Sequence, residues 1–507
     1  MDIKRAKQEI ENTIRAYLQK DEFGDYQIPA VRQRPVLLMG PPGIGKTQIM
    51  EQIARDCRVG LVAYTITHHT RQSAVGLPFI QEKEYGGNKY SVTEYTMSEI
   101  IASVYEKIEK TGCQEGILFI DEINCVSETL APTMLQFLQK KTFGNQEVPK
   151  GWIIVSAGNP PEYNKSVREF DVVTLDRIKK IDVEENLEVW IEYAYRQNIH
   201  PAIISYLEMR RESFYKIETT VDGKQFATAR GWEDLSQLLQ TYERLQIPVD
   251  REVVFQYIQH WKIAKDFANY LELYQKYKQD YGVGDLLDGK WTKEAVEKLR
   301  IASFDEKLCV VNLLSGRLGE YFREYCMIDG VVTKIYEYLK PYGQNIREVS
   351  MEQTAETARK DYETEERLEV LNSWDKRVWN QALSALDRYA AVVREKKFAG
   401  EEAFAQVKLL FGDETKERER ILKRAAKSLE YAFDFMEEAF GDSQEMVSFI
   451  TELNANYYSL RFLQENGCDR YYRYNKGLLF EEEQKQILQK MDDVETLLNQ
   501  AMSDLHS

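Results

Sequence analysis

Histidine and cysteine are scarce in this chain, with 5 and 6 residues respectively among 507. Cys57, Cys113, Cys125, Cys309, Cys326 and Cys468 lie far apart, with no Cys-x-x-Cys pair. A structural zinc and a disulfide framework are therefore both disfavoured, and the thiols read as reduced and mostly buried. There is no run of 18 apolar residues, so no membrane-spanning helix or membrane insertion is expected. The first twenty residues carry charges every few positions and lack the apolar stretch of a secretory signal, which points to a cytoplasmic protein. Excess positive charge is missing too. Lys+Arg total 67 against 83 Asp+Glu, a net charge of −16, which argues against a protein that coats duplex DNA. Disorder is equally poorly supported, because 43% hydrophobic and 30% charged residues are ordinary globular proportions.

At about 150 residues per domain the length suggests roughly three domains. Ile3, Ile10, Ile14 and Leu18 recur at helical spacing, so residues 1–25 read as an N-terminal amphipathic helix. Short apolar runs follow at Val36–Met39, Leu61–Ile66, Ile117–Ile120 and Ile153–Ser156, separated by helical stretches. That alternation predicts a parallel α/β sheet within residues 26–181. Between the second and third runs, FIQEKEY and KYSVTEY flank Gly86-Gly87-Asn88 and read as an inserted β-hairpin. Thr96 with Glu99 predicts a capping box opening a helix over Met97–Lys110.

Residues 182–281 read as helical throughout, and Gly282, Gly284 and Gly289 suggest a linker. Residues 282–507 read as an all-α region rich in Glu, Lys and Tyr, a surface suited to protein contacts or assembly. In it, Leu422, Ala426, Leu429, Phe433, Met436 and Phe440 form one stripe. Met446, Ile450, Leu453, Tyr457 and Leu460 form a second beyond Gly441-Asp442, and together they predict an antiparallel helical hairpin.

Chemistry concentrates at three places. Gly40-Pro41-Pro42-Gly43-Ile44-Gly45-Lys46-Thr47 follows an apolar run and opens a helix at Gln48–Asp56, the strand–loop–helix setting of a P-loop. Glycines let backbone N–H groups turn toward phosphates, and the helix N-terminus adds positive potential. Lys46 is expected to reach the β and γ phosphates, and Thr47 to ligate Mg²⁺. About 75 residues further on, Ile117–Ile120 ends in Asp121-Glu122. Two carboxylates at the C-terminal edge of a parallel strand lie where ligands bind in such sheets. Asp121 is the candidate for the Mg²⁺ shell and Glu122 for the general base. The third place is Ile153–Ser156 running into Ala157-Gly158-Asn159-Pro160. Asn159 either orients the attacking water or simply forms the turn before a proline.

With GPPGIGKT, ILFIDEIN and its downstream TLAPTMLQFLQ, SAGNPP and VVTLDRIKKI, the sequence resembles AAA+ ATPases of the MoxR branch over about residues 30–240. The hairpin Phe79–Tyr95 stands where that branch carries an insertion. The resemblance implies an α/β core, a helical lid over residues 182–281, hydrolysis of ATP with Mg²⁺, and a homo-hexameric ring that remodels a protein client. It further implies a von Willebrand factor A-type partner. It makes Asn159 the sensor-1 residue, Arg177 a candidate arginine finger acting on the neighbouring subunit, and Arg230 a sensor-2 residue. Arg168 is a nearby rival for the finger. The chain departs from the family in having Ile178 in place of the usual Phe, and Thr-Ala before Arg230 in place of a proline lead-in.

Two other readings compete. One is a nucleic-acid-directed NTPase motor of the McrB-like restriction type, for which the tail segment Arg470-Tyr471-Tyr472-Arg473-Tyr474 could stack bases. The mixed charge of the hairpin tip Glu84–Lys89 and the acidic balance weigh against nucleic acid. The other is a nucleotide-dependent switch or scaffold, against which the intact Glu122 speaks. A metal site at His68-His69 is disfavoured because adjacent strand residues point to opposite faces.

Overall fold

In the computed structural model, residues 1–68, 74, 76–143, 146–163, 170–220 and 223–476 are described. Five strands build the central sheet: β1 (Val36–Met39), β2 (Gly60–Thr65), β3 (Gly116–Asp121), β4 (Trp152–Gly158) and β5 (Lys179–Asp182). Their spatial order is β2-β3-β4-β1-β5, and every pairing is parallel. Successive side chains on a strand face opposite ways, so each apolar run serves two cores. Ile117 and Phe119 pack with helices α1 (Ile3–Leu18) and α2 (Lys46–Cys57). Leu118 and Ile120 pack on the other face with α3 (Glu99–Thr111) and α4 (Ala131–Lys140). This is the expected α/β core. The strand β5 had no clear signal, because Lys179, Lys180 and Asp182 leave only Ile181 buried. Charged side chains on such an edge strand also block unwanted pairing.

The inserted hairpin pairs Pro78–Tyr85 with Asn88–Tyr95. Gly86 and Gly87 alone make its turn, at φ +59° and +82°, values that suit glycine. The capping box at Thr96 is not formed. The Thr96 hydroxyl accepts from Leu77 N at 2.8 Å and closes the base of the hairpin, so α3 begins at Glu99 without a side-chain cap.

Beyond β5 the region expected to be purely helical contains an antiparallel hairpin, Lys216–Thr220 with Gly223–Ala227. It precedes α5 (Ala229–Leu245). The linker expectation also fails. Val283–Leu287 is a short helix whose Val283, Leu286 and Leu287 are buried. Gly282 supplies a left-handed turn at φ +54°. At Gly289 a Cβ would lie 2.6 Å from the Tyr431 ring, so glycine there permits close packing. One hydrophobic core runs from Leu187 to Tyr471 and includes lid and C-terminal residues alike.

Two long helices, α6 (Phe304–Gln344, 41 residues) and α9 (Gly400–Ala439, 40 residues), organise the C-terminal region. Each spans about 60 Å at 1.5 Å per residue. The first half of α6 and the second half of α9 belong to the core shared with the lid. Their opposite halves enclose a distal core with α7 (Met351–Arg367) and α8 (Ser373–Glu395). The helices α10 (Gln444–Ala455) and α11 (Tyr457–Asn466) complete the near end. Phe433 and Phe449 meet across the Gly441 turn with ring centroids 5.4 Å apart, yet α9 and α10 each pack chiefly on α6. The second apolar stripe is interrupted as well. Asn456 accepts from Tyr458 N and Ser459 N, starting a new helix and leaving Tyr457 exposed.

The distal region meets the α/β core through an ion pair. Lys107 Nζ on α3 lies 2.5 Å from Glu369 Oε2, just past the end of α7, with Lys110 3.8 Å from the other oxygen. Among the described residues, no helix is long and apolar enough to cross a membrane.

Candidate functional site

Between β1 and α2 the backbone turns through Gly43 and Gly45, at φ +77° and +91°. Gly40 passes so close to the end of β5 that a Cβ would sit 2.7 Å from Val183 O. Ile44 packs against the core on the α1–α2 face and anchors the loop. Lys46, the first residue of α2, is buried, and its Nζ donates to Gly40 O, Pro41 O and Asn159 Oδ1, each at 2.8 Å. Burial pushes the ammonium pKa down to about 8, with Asp121 opposing that shift and the guanidinium of Arg230 adding to it.

Thr47 Oγ1 donates to Asp121 Oδ2 at 2.8 Å, joining the start of α2 to the end of β3. The other Asp121 oxygen accepts from Glu122 N at 2.9 Å. Glu122 itself sits at φ +56°, a conformation uncommon for a residue with a side chain. A hydroxyl and a carboxylate side by side form the oxygen donor set that a hard divalent cation takes, so the residues present fit Mg²⁺.

The lid closes over the same loop. Tyr215 Oη donates to Pro42 O at 2.9 Å, and Arg230 N donates to Gly43 O at 3.2 Å. A Cβ on Gly43 would touch Thr228 at 3.2 Å, and Thr228 in turn caps α5 by accepting from Gly231 N. Two hydrogen-bonded pairs, Lys46 with Asn159 and Thr47 with Asp121, thus stand side by side at the start of α2, with Glu122 next to Asp121 and Arg230 within electrostatic reach.

The family model of the AAA domain (dynein-related subfamily) matches residues 35–178. The match covers β1 through β4 together with Lys46, Thr47, Asp121 and Asn159, so the segment that carries the site is similar to an AAA domain. No curated protein matches the chain. Among solved structures, a Cytophaga hutchinsonii protein described as a candidate ATPase is similar at 15% identity and a TM-score of 0.21. The similarity covers 36% of this chain and 51% of that one, so the chain spans about half the length of the solved protein.

Arg177 stands outside the P-loop group of the AAA domain. It is exposed and its Nη1 donates to Gln139 Oε1 on α4. The neighbouring Ile178 is buried in the core on the α3–α4 face, which shows how the chain accommodates Ile at that position. Arg168 and His69 lie outside the described residues, as does the side chain of His68. The tail cations are taken up locally. Arg470 donates to Asp434, Arg473 donates to Glu437, and Tyr471 is buried, so this segment packs as a core-edge helix.

Two contributions had little signal in the sequence. Tyr215 reaches the P-loop from 173 residues away, a distance that no local pattern encodes. Asn124 was visible only as the last residue of the Asp-Glu-Ile-Asn run.

Proposed function

We propose that the chain is a Mg²⁺-dependent ATPase of MoxR type that works as a homo-hexameric ring on a protein client. The reading is carried by one observation: Lys46 donates to Asn159 and Thr47 donates to Asp121, side by side at the C-terminal edge of a parallel sheet, with the lid resting on the loop that leads into them. In this reading the N–H groups of residues 43–47 cradle the phosphates. Lys46 exchanges neutral carbonyl acceptors for anionic oxygens, a stronger pairing. Glu122 takes a proton from the attacking water, Asn159 orients that water, and the water oxygen displaces ADP from the γ-phosphorus. Thr47 and Asp121 would hold Mg²⁺, which when bound neutralises phosphate charge. Arg230 adds positive potential from the lid, and Arg177 reaches a neighbouring subunit's nucleotide. The client and a von Willebrand factor A-type partner follow from the family resemblance alone, and the region beyond residue 290 is the surface proposed to engage them.

Lys46→Ala is expected to abolish tight nucleotide binding, because its charge acts on ground-state phosphates. Glu122→Gln is expected to keep binding and lose turnover, because its carboxylate acts in the transition state. Nucleotide affinity and phosphate release measured on both variants test this. Hydrolysis at the wild-type rate by Glu122→Gln would overturn the catalytic assignment.

A further inference from the structure

We infer that Asn124 is a positioning residue that holds Asn159 in register for hydrolysis; the inference rests on the ATPase reading above. The pairing of β3 with β4 runs to Ile120 opposite Ser156. It is extended once more where Ile123 N donates to Ala157 O at 2.9 Å. There the backbone turns away, with Glu122 at positive φ and Cys125 N bonded back to Glu122 O at 2.9 Å. The peptide groups past Ile123 therefore cannot continue the ladder. The side chain of Asn124 continues it instead. Its Nδ2 donates to Asn159 O at 2.8 Å, and its Oδ1 accepts from Asn159 N at 3.3 Å.

A carboxamide offers the same donor and acceptor as a peptide group, so it can replace one strand residue in a ladder. The site is built for that fit. Asn124 is 2% exposed, and a Cβ on Gly158 would lie 2.6 Å from its Oδ1. The residue after Asn159 is Pro160, which has no N–H to tie the loop down from the other side. Asn159 Oδ1 then receives the Lys46 ammonium at 2.8 Å. A continuous path thus runs from the turn after the Asp-Glu pair to the P-loop lysine. Its purpose in turnover is geometric: a displacement of about 1 Å at a group that orients water costs large factors in rate.

The test combines kinetics with amide hydrogen exchange. Asn124→Ala is expected to lower kcat about ten- to thirtyfold while nucleotide affinity stays within about threefold, the loss anticipated for two neutral hydrogen bonds. Asn124→Asp is expected to do worse, because a carboxylate oxygen would face Asn159 O. The double variant Asn124→Ala/Asn159→Ala should be no slower than Asn159→Ala alone, since one residue acts through the other. Additive losses, or wild-type kcat in Asn124→Ala when Asn159→Ala is impaired, would overturn the inference. Exchange of the Asn159 amide needs no nucleotide. In the wild type it should be protected like the β4 amides, and in Asn124→Ala it should exchange faster. An unprotected Asn159 amide in the wild type would overturn the clamp even if the variant proved too unstable to assay. Protection together with a wild type that never hydrolyses ATP would instead place the failure in the ATPase reading.

Discussion

The polar side chains around the P-loop converge on one sheet edge, whereas many charged side chains in the helical region beyond residue 290 pair with one another. Asp329 on α6 is flanked by Arg418 at 2.6 Å and Arg461 at 3.2 Å. Arg359 meets Asp387 at 2.7 Å, and Arg470 meets Asp434. Such pairs bridge neighbouring helices and leave these charges with partners of opposite sign. In the core, by contrast, Lys46 is buried with two carbonyls and an amide as its direct partners, an arrangement that holds a cation at a raised free energy. Groups kept in that condition are characteristic of working sites. The difference teaches that the charged side chains of the helical region largely pair with one another, while Lys46 in the α/β core is held without a carboxylate as a direct partner.

The comparison breaks most visibly if turnover does not depend on a second subunit. Arg177→Ala should assemble and bind ATP while hydrolysing it about 10³-fold more slowly, the scale of an arginine supplied in trans. Mixing it with Lys46→Ala subunits should restore part of the activity. Rings that show no recovery would remove Arg177 from catalysis and leave its hydrogen bond to Gln139 as its whole role.

A second expectation concerns cohesion. Phe433 is fully buried in the core that also holds Trp232 of the lid. Phe433→Ala should cost about 3–5 kcal/mol in urea unfolding. Because the core is shared, nucleotide binding and helical structure should be lost at the same denaturant concentration. Two separate transitions would show that the lid and the C-terminal helices fold independently.

Lys46 supplies a pH test of the contrast. Its pKa falls from 10.5 in the free side chain to about 8 in the folded protein, so the unfolded chain binds the extra proton between those values. The burial cost is therefore fully present below about pH 8 and is relieved as the pH rises toward 10.5. Lys46→Met should gain stability over wild type at pH 7, and the gain should shrink by up to about 3 kcal/mol by pH 10. A gain that does not change with pH would mean that the ammonium is not desolvated. At the small end, the exposed pair Glu356–Lys360 on α7, 3.0 Å apart, should show no resolvable coupling in a double-mutant cycle, and a clear coupling would mean that exposed pairs do hold the helical region together.

Much of the core was legible because its signals are local. A P-loop, an apolar strand ending in Asp-Glu and a strand ending in Asn each compress strand, turn and site into a few consecutive residues. The structure assembles these three pieces as the spacing suggested. What escaped was set by distance or by competition. β5 depends on pairing with β1 and not on its own composition, since three of its four residues are charged. Thr96 had the right partner for a cap but found Leu77 N first. The glycines near residue 285 resemble a connector in sequence, yet Tyr431 on a helix more than a hundred residues away requires one of them for packing. Arg177 meets Gln139 in the fold, and the trans-acting role proposed for it needs a second subunit.

The salt bridge between Lys107 and Glu369 closes a mechanical circuit. Leaving the sheet after β5, the polypeptide passes through the lid and out along α6 to the far helices, then comes back to touch α3, the helix that directly follows the inserted hairpin. A linkage anchored at both ends cannot turn at one joint alone. If the lid swings about the P-loop, the two long helices must bend or the Lys107 contact must slip. While the Lys107 contact holds, the lid and the base of the hairpin are joined by two routes, through the sheet and through the helical frame.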